Sequence, residues 1–441
     1  MQPRATGIPL QQVAARTVRR PGAPWLFALW MAVSAAVAVA SGLVLGILAA
    51  LETGYGLDRW TQTVQAHGRL QLWGFAGVFI VTLAFEFLHR MNARPPYPAW
   101  LRVASPAALA FGALFQAAAQ VWFEHFRVLG PLGGGLMVFG AVAFAVAAAR
   151  TRPPHSLRLD PQPWFFWLGG AWLAAAAVLA LAASLEWDGG VALPVESHAL
   201  SEVFLRGFVL QVILAVAPRA LAGHVGLPRL SARRQVTLLV AVNLTTLAWL
   251  AAQDVWVLPG IAWLARAADA MLAIAMLAVT WWLRIFSGLP ARWRGERYEW
   301  AIPLAWVGAV VYAATMLIVR VSPAGDDLTL YQEGALRHIF LLGFMLPLMV
   351  AMAHIVLARF GAGFIPHENL LTAAFALLAL AWPLRVLPAL GTEAPGEAGQ
   401  VLMALAGVLT MVALGLTAFV SARTAMLTWR SVLQILAAAP S

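Results

Sequence analysis

Cysteine is absent from this chain of 441 residues. Without a thiolate, the protein forms no disulfide, iron–sulfur cluster, cysteine-ligated zinc site or thiolate-ligated haem. Lysine is absent too, so all 29 basic residues are arginines. Arginine is a poor proton-shuttling base, and chemistry that needs a Schiff base or a lysine nucleophile is excluded. Any metal centre must therefore use histidine, methionine, tyrosine or carboxylate ligands.

Charge of either sign is also scarce. Charged residues make up 11% of the chain and hydrophobic residues 62%, whereas a soluble domain carries about 25% charged residues. A soluble fold cannot bury this much apolar surface. The composition therefore predicts an integral membrane protein whose main partner is the lipid bilayer.

Twelve apolar runs approach the ~20 residues that a helix needs to cross a bilayer. They cover residues 25–50, 65–89, 100–123, 128–149, 164–186, 197–219, 235–256, 260–285, 300–320, 335–359, 368–390 and 398–422. The connections are short. We therefore predict an all-α membrane domain of twelve helices over residues 25–422, with cytoplasmic segments at residues 1–24 and 423–441.

Arginines and carboxylates alternate between successive loops. Glu52 and Asp58 follow the first run, Arg90 and Arg94 follow the second, and the alternation continues to the end of the chain. The positive-inside rule then places both termini in the cytoplasm, which suits a bacterial inner membrane. Because topology accounts for the net charge of +10, we expect no nucleic-acid partner. The first run is too long for a signal peptide and reads as an uncleaved span.

A Gly-Phe pair recurs in the second, sixth and tenth runs, with separations of 133 and 136 residues. Each pair follows a histidine near the start of its run. The pairs begin at Gly74, Gly207 and Gly343, and the histidines are His67, His198 and His338. This spacing indicates three repeated units of four helices, in which the second helix of each unit faces a common centre.

Those three histidines are the strongest ligand candidates in the chain. Neutral imidazole is a common ligand for iron and copper, and it adds no net charge to a site of low dielectric constant. Three histidines at matching depths could ligate haem or copper. The alternative is that each is an interfacial histidine bonded to water or to a backbone carbonyl, and the residues alone leave both readings open.

Other ionisable groups lie inside the runs, where such groups are costly. His198, Glu202 and Arg206 are spaced i, i+4 and i+8 and share one helical face. Arg206 could pair with Glu202 or hold an anion such as a haem propionate. Arg266 and Asp269 have a similar spacing, and we expect them to neutralise each other.

His89 and His354 lie near the far ends of the second and tenth runs. They could belong to a proton path or to a second cofactor site. The preferred interpretation is that both snorkel to the membrane interface.

The stretches HGRLQLWGFAGVF, RGFVLQVILAVAPRAL and ALRHIFLLGFMLPLMVAMAH resemble the NnrS family. These bacterial membrane proteins carry haem and copper and are associated with nitric oxide and nitrosative stress. The resemblance spans most of the chain and includes the twelve-helix count. Arg69 stands where the family has a second histidine, and Ile355 stands where many relatives have an arginine.

The resemblance implies a haem cofactor, with copper as a further candidate, and a small-molecule ligand such as nitric oxide. It implies that His67 and His338 are axial ligands and that His198 is a third ligand, for haem or copper. Arg206 and Arg337 would neutralise the propionates. The resemblance does not decide whether the protein is an enzyme.

The layout is also similar to that of the haem–copper oxidase catalytic subunit, whose ligand histidines lie on helices two, six, seven and ten. The seventh run reads NLTTLAW where a histidine pair would be expected, so we expect no complete oxygen-reducing centre. A cofactor-free transporter, with the ion pairs lining its path, is the alternative function. A structural or assembly subunit is a third.

Overall fold

The computed structural model describes residues 24–51, 59–91, 97–150, 161–253, 262–287, 298–321, 328–358, 365–390 and 395–438. Within these ranges the chain is helical apart from short turns, and no strand forms. An isolated antiparallel bridge joins Asp188 to Val191. The predicted N-terminal segment, residues 1–24, lies outside the described residues except for Pro24.

Twelve helices are long and apolar enough to cross a membrane, which confirms the predicted all-α fold and helix count. We number them spans 1 to 12. They are Trp25–Ala50, Trp60–His89, Ala99–Val121, Leu129–Arg150, Gln162–Leu185, Glu196–His224, Ala232–Ala251, Trp263–Trp282, Ala301–Val319, Leu330–Leu357, Glu368–Leu390 and Glu397–Ser431. A short helix, Phe123–Phe126, connects spans 3 and 4, and the last helix continues to Ala438.

Local sequence signals set several helix starts. Ser231 precedes span 7, and its hydroxyl accepts the amide hydrogen of Arg234 at 3.4 Å. Thr329 precedes span 10 and forms a capping box, because the Gln332 side chain accepts the amide hydrogen of Thr329 at 3.0 Å. Both interactions satisfy amide groups that the first turn of a helix leaves without partners.

Spans 2, 6 and 10 form the centre of the bundle. In their most apolar 18-residue windows, 100%, 94% and 89% of the residues are buried inside the protein, whereas no other span exceeds 56%. The side chains of the three spans touch one another: the Trp73 and Phe204 rings, from spans 2 and 6, lie 4.8 Å apart. The predicted common centre of the three repeated units is therefore confirmed.

The three central spans share a further local feature. Each contains a π-helical segment, at Leu70–Gly77, Val203–Val209 and Ile339–Met345. The glycine of each Gly-Phe pair is the fifth residue of its segment. Long π-helical segments are rare and cluster at functional sites. Their identical placement supports the repeat of four-helix units. A fourth segment, Ala38–Leu43, lies in span 1.

Successive spans alternate in direction, so the even-numbered spans all begin at one end of the bundle, which we call the even-start end. His67, His198 and His338 lie toward this end, within the first three turns of their spans. Three further histidines within the spans, His89, His224 and His354, lie toward the opposite end. His89 is 4% exposed and His354 is fully buried. The prediction that these two snorkel to the interface is therefore wrong, because neighbouring spans cover both.

Candidate functional site

A cavity of about 220 Å³ opens at the even-start end. Residues from spans 1, 2, 6, 10, 11 and 12 line it, and most of the lining is apolar. His67 and His338 both face this cavity, together with Arg337 and Arg385. Two imidazoles and two arginines in an otherwise apolar chamber are the kind of convergent polar groups that define a binding site.

The two histidines form a pair across the interface between spans 2 and 10. Their ring centres lie 6.5 Å apart, and the ring planes differ by only 8°. This separation lies near the upper end of the range of about 4.5–7 Å seen for interacting ring pairs. Of the three histidines predicted to share a centre, the structure brings these two together.

Each ring of the pair is held in the orientation typical of a metal ligand. His67 Nδ1 lies 2.6 Å from the carbonyl oxygen of Gly42, and His338 Nδ1 lies 2.6 Å from that of Gly334. A carbonyl oxygen only accepts, so each Nδ1 carries the proton and each Nε2 keeps a free lone pair. Metal-ligating histidines are usually held in this way by a backbone carbonyl or carboxylate.

Gly46 in span 1 makes room for the first imidazole. A Cβ atom added there would lie 2.6 Å from both Cε1 and Nδ1 of His67. No real Cβ contact is that short, so any larger residue would displace the ring. Gly68 also lines the cavity, but a Cβ atom added there would have no atom within 4 Å.

Arg385 is a functional candidate that the sequence interpretation did not single out. It lies in span 11 between two prolines, and its Nη1 is 3.1 Å from the Met403 sulfur. Within the described part of the chain it forms no ion pair with a carboxylate. A cation in an apolar cavity without a protein anion is suited to bind an acidic group of a ligand. Its sequence signal was an isolated arginine deep inside an apolar run.

Of the two predicted propionate partners, only Arg337 lines the cavity. Its Nε lies 3.5 Å from Glu202 Oε1, and its side chain is 25% exposed. Arg206 is engaged elsewhere. Its Nε donates to Glu202 at 2.7 Å, and its Nη1 lies 2.5 Å from Asp269 of span 8. Two carboxylates therefore already neutralise Arg206.

The same network holds the third predicted ligand, His198. Its Nε2 lies 3.7 Å from Glu202, and its ring centre is 5.2 Å from that of Trp249. Arg206 also lies over Trp249, at 4.8 Å from the ring centre. This second cluster joins spans 6, 7, 8 and 10 through charged hydrogen bonds and aromatic contacts, and Arg337 connects it to the cavity.

Arg69 points away from the cavity. It lies two residues after His67, which places it on the other side of the helix. Its Nη1 donates to Gln116 Oε1 in span 3 at 2.7 Å. A histidine at position 69 would therefore not join the pair in the cavity. Among the described residues, no three side chains of the types His, Cys, Asp and Glu come close enough to hold a metal ion on their own.

Comparison with known proteins shows the fold. A heme-copper terminal oxidase, solved as a dimer by cryo-EM, has a TM-score of 0.64 to this chain, and the match covers 92% of this chain and 84% of that one. The two share 13% sequence identity. No family model matches the chain. No curated protein matches it either. The protein is thus a multi-pass membrane protein with the fold of a heme-copper oxidase subunit.

Proposed function

We propose that this protein binds one haem in the cavity, with His67 and His338 as its two axial ligands. The histidine pair supports this proposal most directly. Two metal–nitrogen bonds of about 2 Å each, with the distances from nitrogen to ring centre, give a separation of roughly 6 Å between ring centres. The observed separation is 6.5 Å. The carbonyl partners leave both Nε2 atoms available for iron.

The donor set fits haem better than a bare metal ion. A structural zinc site takes four protein ligands, and the cavity offers two imidazoles. A porphyrin supplies the remaining four nitrogens itself. The apolar walls suit its faces and edges, and Arg385 and Arg337 suit its propionates. Copper remains a prediction from the family resemblance, because His198 lies in the neighbouring charged network.

Bound haem supplies one-electron redox chemistry. The residues of the chain determine how it is used. His67 and His338 would hold the haem, and apolar side chains from spans 1, 2, 6, 10 and 12 would surround it. Such a site favours electron transfer or sensing over catalysis, because catalysis at the iron would need a coordination position free for substrate. A small ligand would have to displace one histidine.

We further propose a role in the response to nitric oxide or nitrosative stress, in the bacterial inner membrane with both termini in the cytoplasm. The resemblance of the three central spans to NnrS proteins supports the role, and the arginine alternation supports the orientation. Titration of the reduced protein with nitric oxide tests the role. We expect a saturable change in the visible spectrum, and an unchanged spectrum would contradict it.

The haem content of the detergent-purified protein tests the cofactor assignment. We expect about one haem per chain in the wild type, and a loss of most of the haem in His67→Ala and in His338→Ala. His125→Ala is the matched control, since this exposed histidine lies in the connection between spans 3 and 4 at the same end. A colourless wild-type preparation from haem-replete cells would favour the cofactor-free transporter instead.

A further inference from the structure

A second polar site lies behind span 2, on the side away from the cavity. Its centre is Arg69, which is 5% exposed and lies nearly three turns inside the span. An arginine at that depth is costly unless a negative charge compensates it. Arg206, equally buried, has two carboxylates against it.

Within the described residues, no carboxylate forms an ion pair with Arg69. Arg69 makes one hydrogen bond, from Nη1 to the neutral amide of Gln116. Glu196 attracts the Arg69 guanidinium at a distance but does not hydrogen-bond to it. The Glu196 carboxylate accepts the amide hydrogen of Leu193 at 3.2 Å. The other two guanidinium nitrogens of Arg69 have no described hydrogen-bond partner.

A second unused donor lies against this guanidinium. Arg69 Cζ is 5.0 Å from the centre of the Trp187 ring. Trp187 is 7% exposed, and its indole N–H has no hydrogen-bond partner in the described structure. A buried N–H without a partner is rare in folded proteins, and each case needs an explanation such as a bound ion or water.

The surrounding groups hold these donors in place. Gln116 Nε2 donates to the carbonyl of Ala180 at 3.1 Å, which turns its oxygen toward Arg69. Gln65, from the same face of span 2, bonds both backbone polar groups of Ala192, at 2.8 and 2.9 Å. The loop that carries Trp187 is therefore attached to span 2 a few residues after the indole.

We propose that Arg69 and the Trp187 N–H bind a small monovalent inorganic anion between span 2, span 3 and the loop after span 5. The site combines a full positive charge with a neutral N–H donor, and its described hydrogen-bond acceptors are neutral amides. The Trp187 N–H has almost no surface accessible to solvent, which favours an ion no larger than a halide. The site is independent of the histidine pair and of any haem, because Arg69 faces away from the cavity.

Equilibrium dialysis of the purified protein against radioactive chloride tests this proposal. We expect saturable binding of one chloride per wild-type chain, competed by bromide. Arg69→Gln should abolish it, and Trp187→Phe, which removes only the N–H donor and the ring that carries it, should weaken it at least several-fold. Arg59→Gln is the matched control: Arg59 lies at the same end and donates to the carbonyl of Val121 at 3.5 Å.

The wild-type measurement does not depend on whether a variant folds. If the wild type binds no chloride, the space holds water alone and the proposal fails. It also fails if the folded Arg69→Gln or Trp187→Phe protein binds chloride as tightly as the wild type, or if Arg59→Gln loses binding to the same extent as Arg69→Gln. Monodisperse elution in size-exclusion chromatography establishes that each variant is folded.

Discussion

The ion pair between Arg206 and Asp269 should contribute strongly to the stability of the central spans. Arg206 is 3% exposed and Asp269 is also 3% exposed, and their charged atoms lie 2.5 Å apart. At the effective dielectric constant of about 20 that describes such sites, two unit charges about 4 Å apart attract each other by about 4 kcal/mol. Removing one partner of a buried pair costs about 3–5 kcal/mol.

Asp269→Asn is the mildest test of this pair. Asparagine keeps the shape of the side chain and one acceptor oxygen, and Glu202 still neutralises Arg206 at 2.7 Å. We therefore expect the lower end of the range, a loss of about 3 kcal/mol in the free energy of unfolding. Arg206→Met should cost more, because it leaves two carboxylates without this cation.

A double-mutant cycle separates the interaction energy between Arg206 and Asp269 from the general loss of stability that each substitution causes in the core. Reversible unfolding of Asp269→Asn, Arg206→Met and the double variant would be followed in mixed micelles by tryptophan fluorescence. The double variant should be less damaged than the sum of the single changes, with a coupling energy of about 2 kcal/mol. A coupling energy below about 0.5 kcal/mol would refute this account of the pair.

Three further predictions concern packing and the cavity. Gly46→Ala should displace the His67 ring and lower haem content, measured by absorption per chain. Gly135→Ala, in span 4 and outside the cavity lining, should leave haem content unchanged because nothing lies within 4 Å of its added Cβ. Equal haem loss in both variants would show that ring displacement is not the cause. Gly308→Ala should cost about 1–3 kcal/mol in unfolding measurements, because its Cβ meets the backbone of span 10. Gly415→Ala, with open space at that position, should change stability by less than about 1 kcal/mol, and the reasoning fails if the two variants behave alike. Arg385→Gln should increase the rate at which the protein loses haem to apomyoglobin, and an unchanged rate would remove this arginine from the site.

The sequence predicted much of the architecture because its signals are local. Span lengths follow from apolar runs, and the three central spans follow from the spacing of Gly74, Gly207 and Gly343. The pairing of His67 with His338 was predictable as well, since both histidines lie at a similar depth on repeated helices. These features need only periodicity and length, which a single sequence displays.

The rest depends on helix rotation and on which spans are neighbours. His198 also lies shortly before the Gly-Phe pair of its span, yet its ring faces Trp249 and Glu202. Asp269 reaches across to Arg206 in another span, a contact that its i, i+3 spacing from Arg266 does not reveal. Arg385 enters the cavity from span 11, and only the packing of spans 10, 11 and 12 shows this.

The most direct test of the central claim is the electron paramagnetic resonance spectrum of the oxidised wild-type protein. Two axial imidazoles predict a six-coordinate, low-spin ferric signal that integrates to about one spin per chain. His67→Ala and His338→Ala should each convert any remaining haem to a high-spin form. A high-spin signal in the wild type, or a low-spin signal that survives both substitutions, would contradict the assignment of a haem between spans 2 and 10.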